Sequence, residues 1–96
     1  MSAYLLFVRE KTLDPTEMAT YAGKVTATLE GHPIKILAAY GKQTVLEGAE
    51  AEGVVIAEFP DSAAALKWYE SASYRDAKEH RLKGANYRCI LVDGVK

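Results

Sequence analysis

The run "VVIAEF", Val54 to Phe59, constrains this chain more than any other stretch. It is rich in β-formers and lacks the in–out alternation of a strand with one wet face. "AYLLFVR", Ala3 to Arg9, has the same character. Strands like these need cover on both faces, and the chain has only 96 residues to supply it. A chain so short buries only roughly 60–65% of its unfolded surface when it folds alone. With 49% of its residues apolar, it carries more than that surface comfortably hides. Self-association is the expected remedy.

Between the strands the punctuation is clear. "DPTE" offers Asp14 as an N-cap, Pro15 at the first helical position and Glu17 at the capping-box position. Met18, Tyr21, Ala22, Val25 and Leu29 form a 3-4 stripe, and Gly31 and Pro33 end that helix. "PIKILAAYG" is a second strand stopped by Gly41. "KQTVLEGAEAEG" is a polar connection, with "TVLE" extending a strand into it, and "VVIAEF" is the third strand. Asp61 caps a second helix. Ser71 or Ser73 breaks it and starts a further helical segment to about Gly84, and "YRCILVDG" is the last strand. The order β-α-β-β-α-β is the split βαβ, or ferredoxin-like, arrangement of the α+β class. It predicts one domain over residues 1–96, a four-stranded antiparallel sheet with its helices on one face. The simplest cover for the bare face is the same face of a second copy, giving a homodimer with a barrel-like core.

Charge and cysteine content narrow the function classes. Twelve basic and thirteen acidic residues leave a net charge of −1, no field for nucleic acid or an anionic membrane. One cysteine excludes an internal disulfide and fits a cytoplasmic setting. No apolar run reaches the length of a membrane span, and "MSAYLLFVREK" reads as a first strand rather than a signal peptide. "GAEAEG" lacks the Lys and Ser/Thr of a phosphate loop. His32, His80 and Cys89 have no metal-ligand spacing, so neither a metal nor a cofactor is expected.

"LEG" at Leu46–Gly48, "VVIAEFPDSAAALKWYESASYRDAKEHR" and "ILVDG" resemble the bacterial family known as domain of unknown function 1330, within the dimeric α/β-barrel superfamily. The resemblance runs over nearly the whole chain, including the "DP" before the first helix and Tyr21 within it. It implies the fold and dimerisation. Relatives in the wider superfamily include cofactor-free monooxygenases, isomerases and haem-degrading enzymes, which place small ligands between sheet and helices. Many members of the family resemble "RGG" at the end of the second strand. Here the matching stretch is "AAYG", with Ala39 in place of the arginine and Tyr40 in place of the first glycine.

"SYRDAKEHR", Ser73 to Arg81, is the densest cluster of titratable groups. Wound as a helix, it puts Arg75, Asp76, Glu79 and Lys83 on one side, a solvated ladder with i,i+4 pairs. Tyr74, Ala77, Arg81 and Ala85 take the opposite, inward side. A buried arginine needs an acceptor. Arg81 has two candidates: Glu58, the one charge within "VVIAEF", or a ligand carboxylate held in a two-point fork. His80 lies at the border, four residues after Asp76, which could orient it as a general base. Tyr21, Tyr40 and Tyr74 are candidate pocket walls, and Cys89 is a core residue.

These residues suggest a homodimeric small-molecule-binding domain. Its pocket lies between helices and sheet and suits a small carboxylate or phenolic ligand. Arg81, Tyr40, Tyr74, Tyr21 and Glu58 are its candidate binding residues. The alternatives are a cofactor-independent isomerase or monooxygenase-like enzyme using His80, and a structural dimer without a ligand.

Overall fold

A computed structural model describes residues 1–95. Four strands run Ala3–Thr12 (β1), Lys35–Ala39 (β2), Gly53–Phe59 (β3) and Ala85–Asp93 (β4), and three helices run Pro15–Val25 (α1), Ser62–Tyr69 (α2) and Ala72–Gly84 (α3). A 3₁₀ turn, Thr26–Leu29, continues α1. The antiparallel sheet has the order β2-β3-β1-β4, so the expected α+β, ferredoxin-like fold is the observed one. No helix among the described residues is long and apolar enough to cross a membrane.

The caps set the helix boundaries. Asp14 accepts from the amides of Thr16 and Glu17, Asp61 from Ala64, and Ser71 from Tyr74. Ser71 also donates its hydroxyl to the Trp68 carbonyl at 2.6 Å, tying the end of α2 to the start of α3. Glu17 does not close a capping box. The Asp14 amide goes instead to the Gly84 carbonyl, and the Glu17 carboxylate goes to His80. "TVLE" adds no strand, and residues 41–52 form an irregular connection.

Strand alternation divides the residues between the two faces of the sheet. Ala3, Leu5 and Phe7 of β1 and Ala57 and Phe59 of β3 are buried beneath the helices. Leu6, Val8, Val54 and Ile56 lie on the other face, half-buried, beside the exposed Ile90 and Val92 of β4. Trp68 anchors the buried layer. Its ring meets Tyr74 at 4.0 Å, Phe59 at 5.9 Å and Phe7 edge-on at 6.3 Å between centroids. Its indole N–H donates to Thr28 Oγ1, which donates on to the Val25 carbonyl.

Helices α1 and α3 meet where Gly84 ends α3. The Gly84 carbonyl accepts from the amides of Leu13 and Asp14, at 2.7 and 2.9 Å. A Cβ on Gly84 would stand 2.8 Å from Met18 Cγ and Sδ and 3.0 Å from the Met18 amide nitrogen. Alanine favours a helix over glycine by about 1 kcal/mol, but overpacking typically costs about 1–3 kcal/mol. Met18 can move its side chain, whereas its backbone nitrogen is fixed by α1, so the clash wins. Gly84→Ala should therefore lower the unfolding free energy by about 1 kcal/mol, the middle of the roughly 0–2 kcal/mol difference between those two effects. Urea titration is the check, and an unchanged or raised midpoint would contradict this account.

Candidate functional site

A cavity of about 210 Å³ lies between the helix layer and the β2 side of the sheet. Phe7, Val55 and Ala57 form its floor, with Ile36 and Ala39 from the edge strand. Tyr21 and Val25 of α1, with Thr26 and Leu29 of the 3₁₀ turn, form its roof, and Trp68 closes the inner end. Phe7, Tyr21, Ala57 and Trp68 are buried, whereas Thr26, Ile36, Ala39 and Tyr40 are exposed. The mouth therefore opens between the 3₁₀ turn and β2. A shift in β2 pairing falls between Ile36 and Ala38. This irregularity lets Ile36 and Ala39, three residues apart, both face the cavity.

Tyr40 follows directly and has φ of 56°. A tyrosine in the left-handed region costs about 1–2 kcal/mol, so its surroundings must hold it there. Its amide donates to the Val54 carbonyl. Its ring stacks under the Arg9 guanidinium, 4.8 Å from the centroid, and its hydroxyl shares a 2.5 Å hydrogen bond with that of Tyr87. Gly53, Arg9 and Tyr87 are paired neighbours in one row of the sheet. The Tyr40 side chain thus crosses the end of the sheet from β2 to β4. It lies so close over β3 that a Cβ on Gly53 would sit 2.4 Å from its Cδ1.

Arg81 is 3% exposed and points inward as its helix face predicts. It does not meet Glu58. Alternation puts Glu58 on the helix-free face, where Tyr4 donates to its Oε2 at 3.3 Å. Aromatic faces flank the guanidinium instead, with Tyr87 at 4.9 Å and Phe7 at 5.5 Å from its central carbon. Arg81 Nε has no acceptor.

Tyr21 and Tyr74 lie beside this cation, and their hydroxyls share a 3.0 Å hydrogen bond. Burial pushes the pKa of Tyr21 up, and the adjacent Tyr74 adds to the effect. Burial also raises that of Tyr74, against the pull of Arg81. Cys89 is raised by burial too. These groups are therefore neutral at pH 7 and give Arg81 no counter-charge. Two desolvated cation–π contacts, at about 2 kcal/mol each, only partly offset a burial penalty of several kcal/mol. Arg81 is not itself in the cavity wall. Phe7 and Tyr21, which adjoin the guanidinium, are among the residues that line the space.

His80 also stands away from the cavity lining. Its Nδ1 lies 2.6 Å from Glu17 Oε2. Asp76, the expected orienting group, pairs instead with Lys24 at 2.9 Å. Arg75, Asp76, Glu79 and Lys83 are exposed as expected. The i,i+4 ladder does not close: the lysine and arginine ion pairs among the described residues are Arg9–Glu52 and Lys24–Asp76. Of the candidate binding residues, Tyr21 and Tyr40 line the cavity, Tyr74 and Arg81 back its wall, and Glu58 faces away. Sequence reasoning missed Trp68, Ala39 and Gly53. The sole tryptophan was the available signal for the first. The arginine-to-alanine departure at Ala39 was the signal for the second.

The architecture has known counterparts. RPA0582, a protein of unknown function from Rhodopseudomonas palustris, aligns with a TM-score of 0.74 at 22% identity, over 99% of this chain and 83% of that one. A dimeric protein of unknown function and ferredoxin-like fold from Bacteroides fragilis aligns at 0.66 and 9% identity, over 97% and 96%. SnoaB, a cofactor-independent oxygenase from Streptomyces nogalater, aligns at 0.62 and 9%, over 99% and 94%. At these identities the likeness is one of fold. No curated protein matches the chain. The profile described as Domain of unknown function (DUF1330) matches residues 2–95, and the chain belongs to that family.

Proposed function

We propose that this protein is a homodimeric domain that binds a small aromatic ligand, phenolic or carboxylate-bearing, in the cavity between its helices and sheet. The observation that carries this reading is the cavity itself: about 210 Å³, floored by Phe7, Val55 and Ala57, with Trp68 at its inner end. Concave, largely apolar spaces with a few polar groups are the usual form of a small-molecule site. Ala39 widens the mouth where relatives resemble an arginine, so this chain's ligand needs no ion pair there.

Arg81 acts from behind the wall. Its unneutralised charge favours a ligand with partial or full negative charge, felt through Tyr21 and Phe7 rather than by direct contact. Second copies would cover the helix-free face. Leu6, Val8, Val54, Ile56, Ile90 and Val92 make a continuous apolar surface there, and the Bacteroides fragilis protein is described as dimeric.

Three measurements test the proposal. Trp68 is the chain's sole tryptophan and lines the cavity, so its fluorescence should change saturably as phenol or benzoate is added. Ala57→Phe, which fills the space, should abolish the change while leaving the fold intact by circular dichroism. An identical response from the filled variant would place the binding elsewhere.

Arg81→Met separates a structural from a ligand role. Replacing a buried cation that has a phenol but no carboxylate for a partner by an apolar side chain should change stability by less than about 1 kcal/mol, or raise it. Benzoate affinity should fall relative to that of benzyl alcohol by about fivefold or more. A large stability loss with unchanged relative affinity would mark Arg81 as structural. Finally, sedimentation at micromolar concentration should give a dimer, and Ile56→Lys should give a folded monomer. A wild-type monomer would sink the barrel.

A further inference from the structure

We propose that Tyr40 determines the size of ligand that the cavity accepts, its ring forming a latched end wall at the mouth. The inference rests on the cavity being a binding site and goes beyond it by assigning specificity to one residue. Three observations converge. Tyr40 lines the cavity and is 43% exposed, so it stands between the interior and solvent. Its backbone is in the left-handed region at φ 56°, a conformation that costs free energy for any residue but glycine. Its side chain is held at both ends, by Arg9 over the ring and by Tyr87 at the hydroxyl.

Strain maintained by specific partners at the rim of a cavity points to function more than to folding. A glycine would make the same turn without strain and without a wall. The side chain at this position therefore adds something that the fold does not require. Gly53 supports the assignment from the other side. Its missing Cβ is what lets the ring lie across β3, since a methyl there would stand 2.4 Å from Tyr40 Cδ1 and 2.8 Å from Cε1. The position just after β2 and the first position of β3 are thus fitted to one ring orientation. With the ring latched, the cavity ends near Tyr40 and suits a single aromatic ring. With the ring gone or displaced, the space continues along the end of the sheet toward Arg9 and Tyr87 and admits a second ring.

The test compares calorimetric titrations of phenol and 2-naphthol. Wild type should favour phenol. Tyr40→Gly, which also relieves the strained backbone, should shift the preference toward 2-naphthol by about tenfold or more. Gly53→Ala should shift it in the same direction with Tyr40 still present, because the new methyl displaces the ring. It serves equally if Tyr40→Gly does not fold. Tyr40→Phe keeps the wall and should stay close to wild type. If phenol binds wild type but neither Tyr40→Gly nor Gly53→Ala changes the preference, Tyr40 is not the gate, although the site stands. If neither probe binds any of these proteins while all remain folded, the site and the gate fall together.

Discussion

Trp68 holds the helix layer in register with the sheet. Its ring touches aromatic groups from β1, β3 and α3, and its N–H reaches Thr28 in the 3₁₀ turn. Four parts of the chain are thereby fixed relative to one another by one side chain. The Ser71 bond to the Trp68 carbonyl pins the backbone at the same point. The packing is dense on the α3 side of the indole, with Tyr74 stacked on it. On the side toward β2 the cover is the end of α1 and a short 3₁₀ turn. The cavity lies there, between a rigid aromatic centre and a lightly covered edge strand.

Much of the fold was legible because local signals agreed. Asp14, Asp61 and Ser71 are all N-caps, and the 3.6-residue period of α3 correctly turned Tyr74, Ala77 and Arg81 inward. The site was less legible for definite reasons. "VVIAEF" is apolar on both faces, so its composition hides which face Glu58 takes. The pairing register decides it, and Arg81 is left without that partner. Glu17 and His80 are 63 residues apart, and their pairing follows from the packing of α1 on α3. The irregularity in β2 breaks the strict period of two on which any reading of that strand relies. Tyr40 was half-visible, as a departure from a glycine. The left-handed backbone explains why glycine suits the position.

The electrostatics of Arg81 differ from those of a structural salt bridge. A paired arginine has its field cancelled locally by a carboxylate. This one is surrounded by neutral phenols, a neutral thiol and aromatic faces. Its field is uncancelled in a region of low dielectric, where a unit charge acts over longer distances than at the surface. The hydroxyls of Tyr21 and Tyr74 beside it share one hydrogen bond and can reorient together, passing the polarisation on.

The pairing of β1 has a kinetic consequence. Both of its neighbours come from far along the chain: Ala3 lies opposite Phe59 on one side and Asp93 on the other. The Gly94 amide bonds the Ser2 carbonyl, so the last described strand ends where the first begins. The only strand pair close in sequence is β2 with β3, and β2 is a five-residue edge. The sheet therefore gains its central strand only by closing long loops, whose entropy is lost before the pairing energy is gained. A chain emerging from the ribosome carries β1 as an unpaired, two-faced apolar strand until β3 follows it. During that interval the apolar residues of both its faces are exposed together, so the same two-faced strand that anchors the finished sheet is a hazard for aggregation on the way to it.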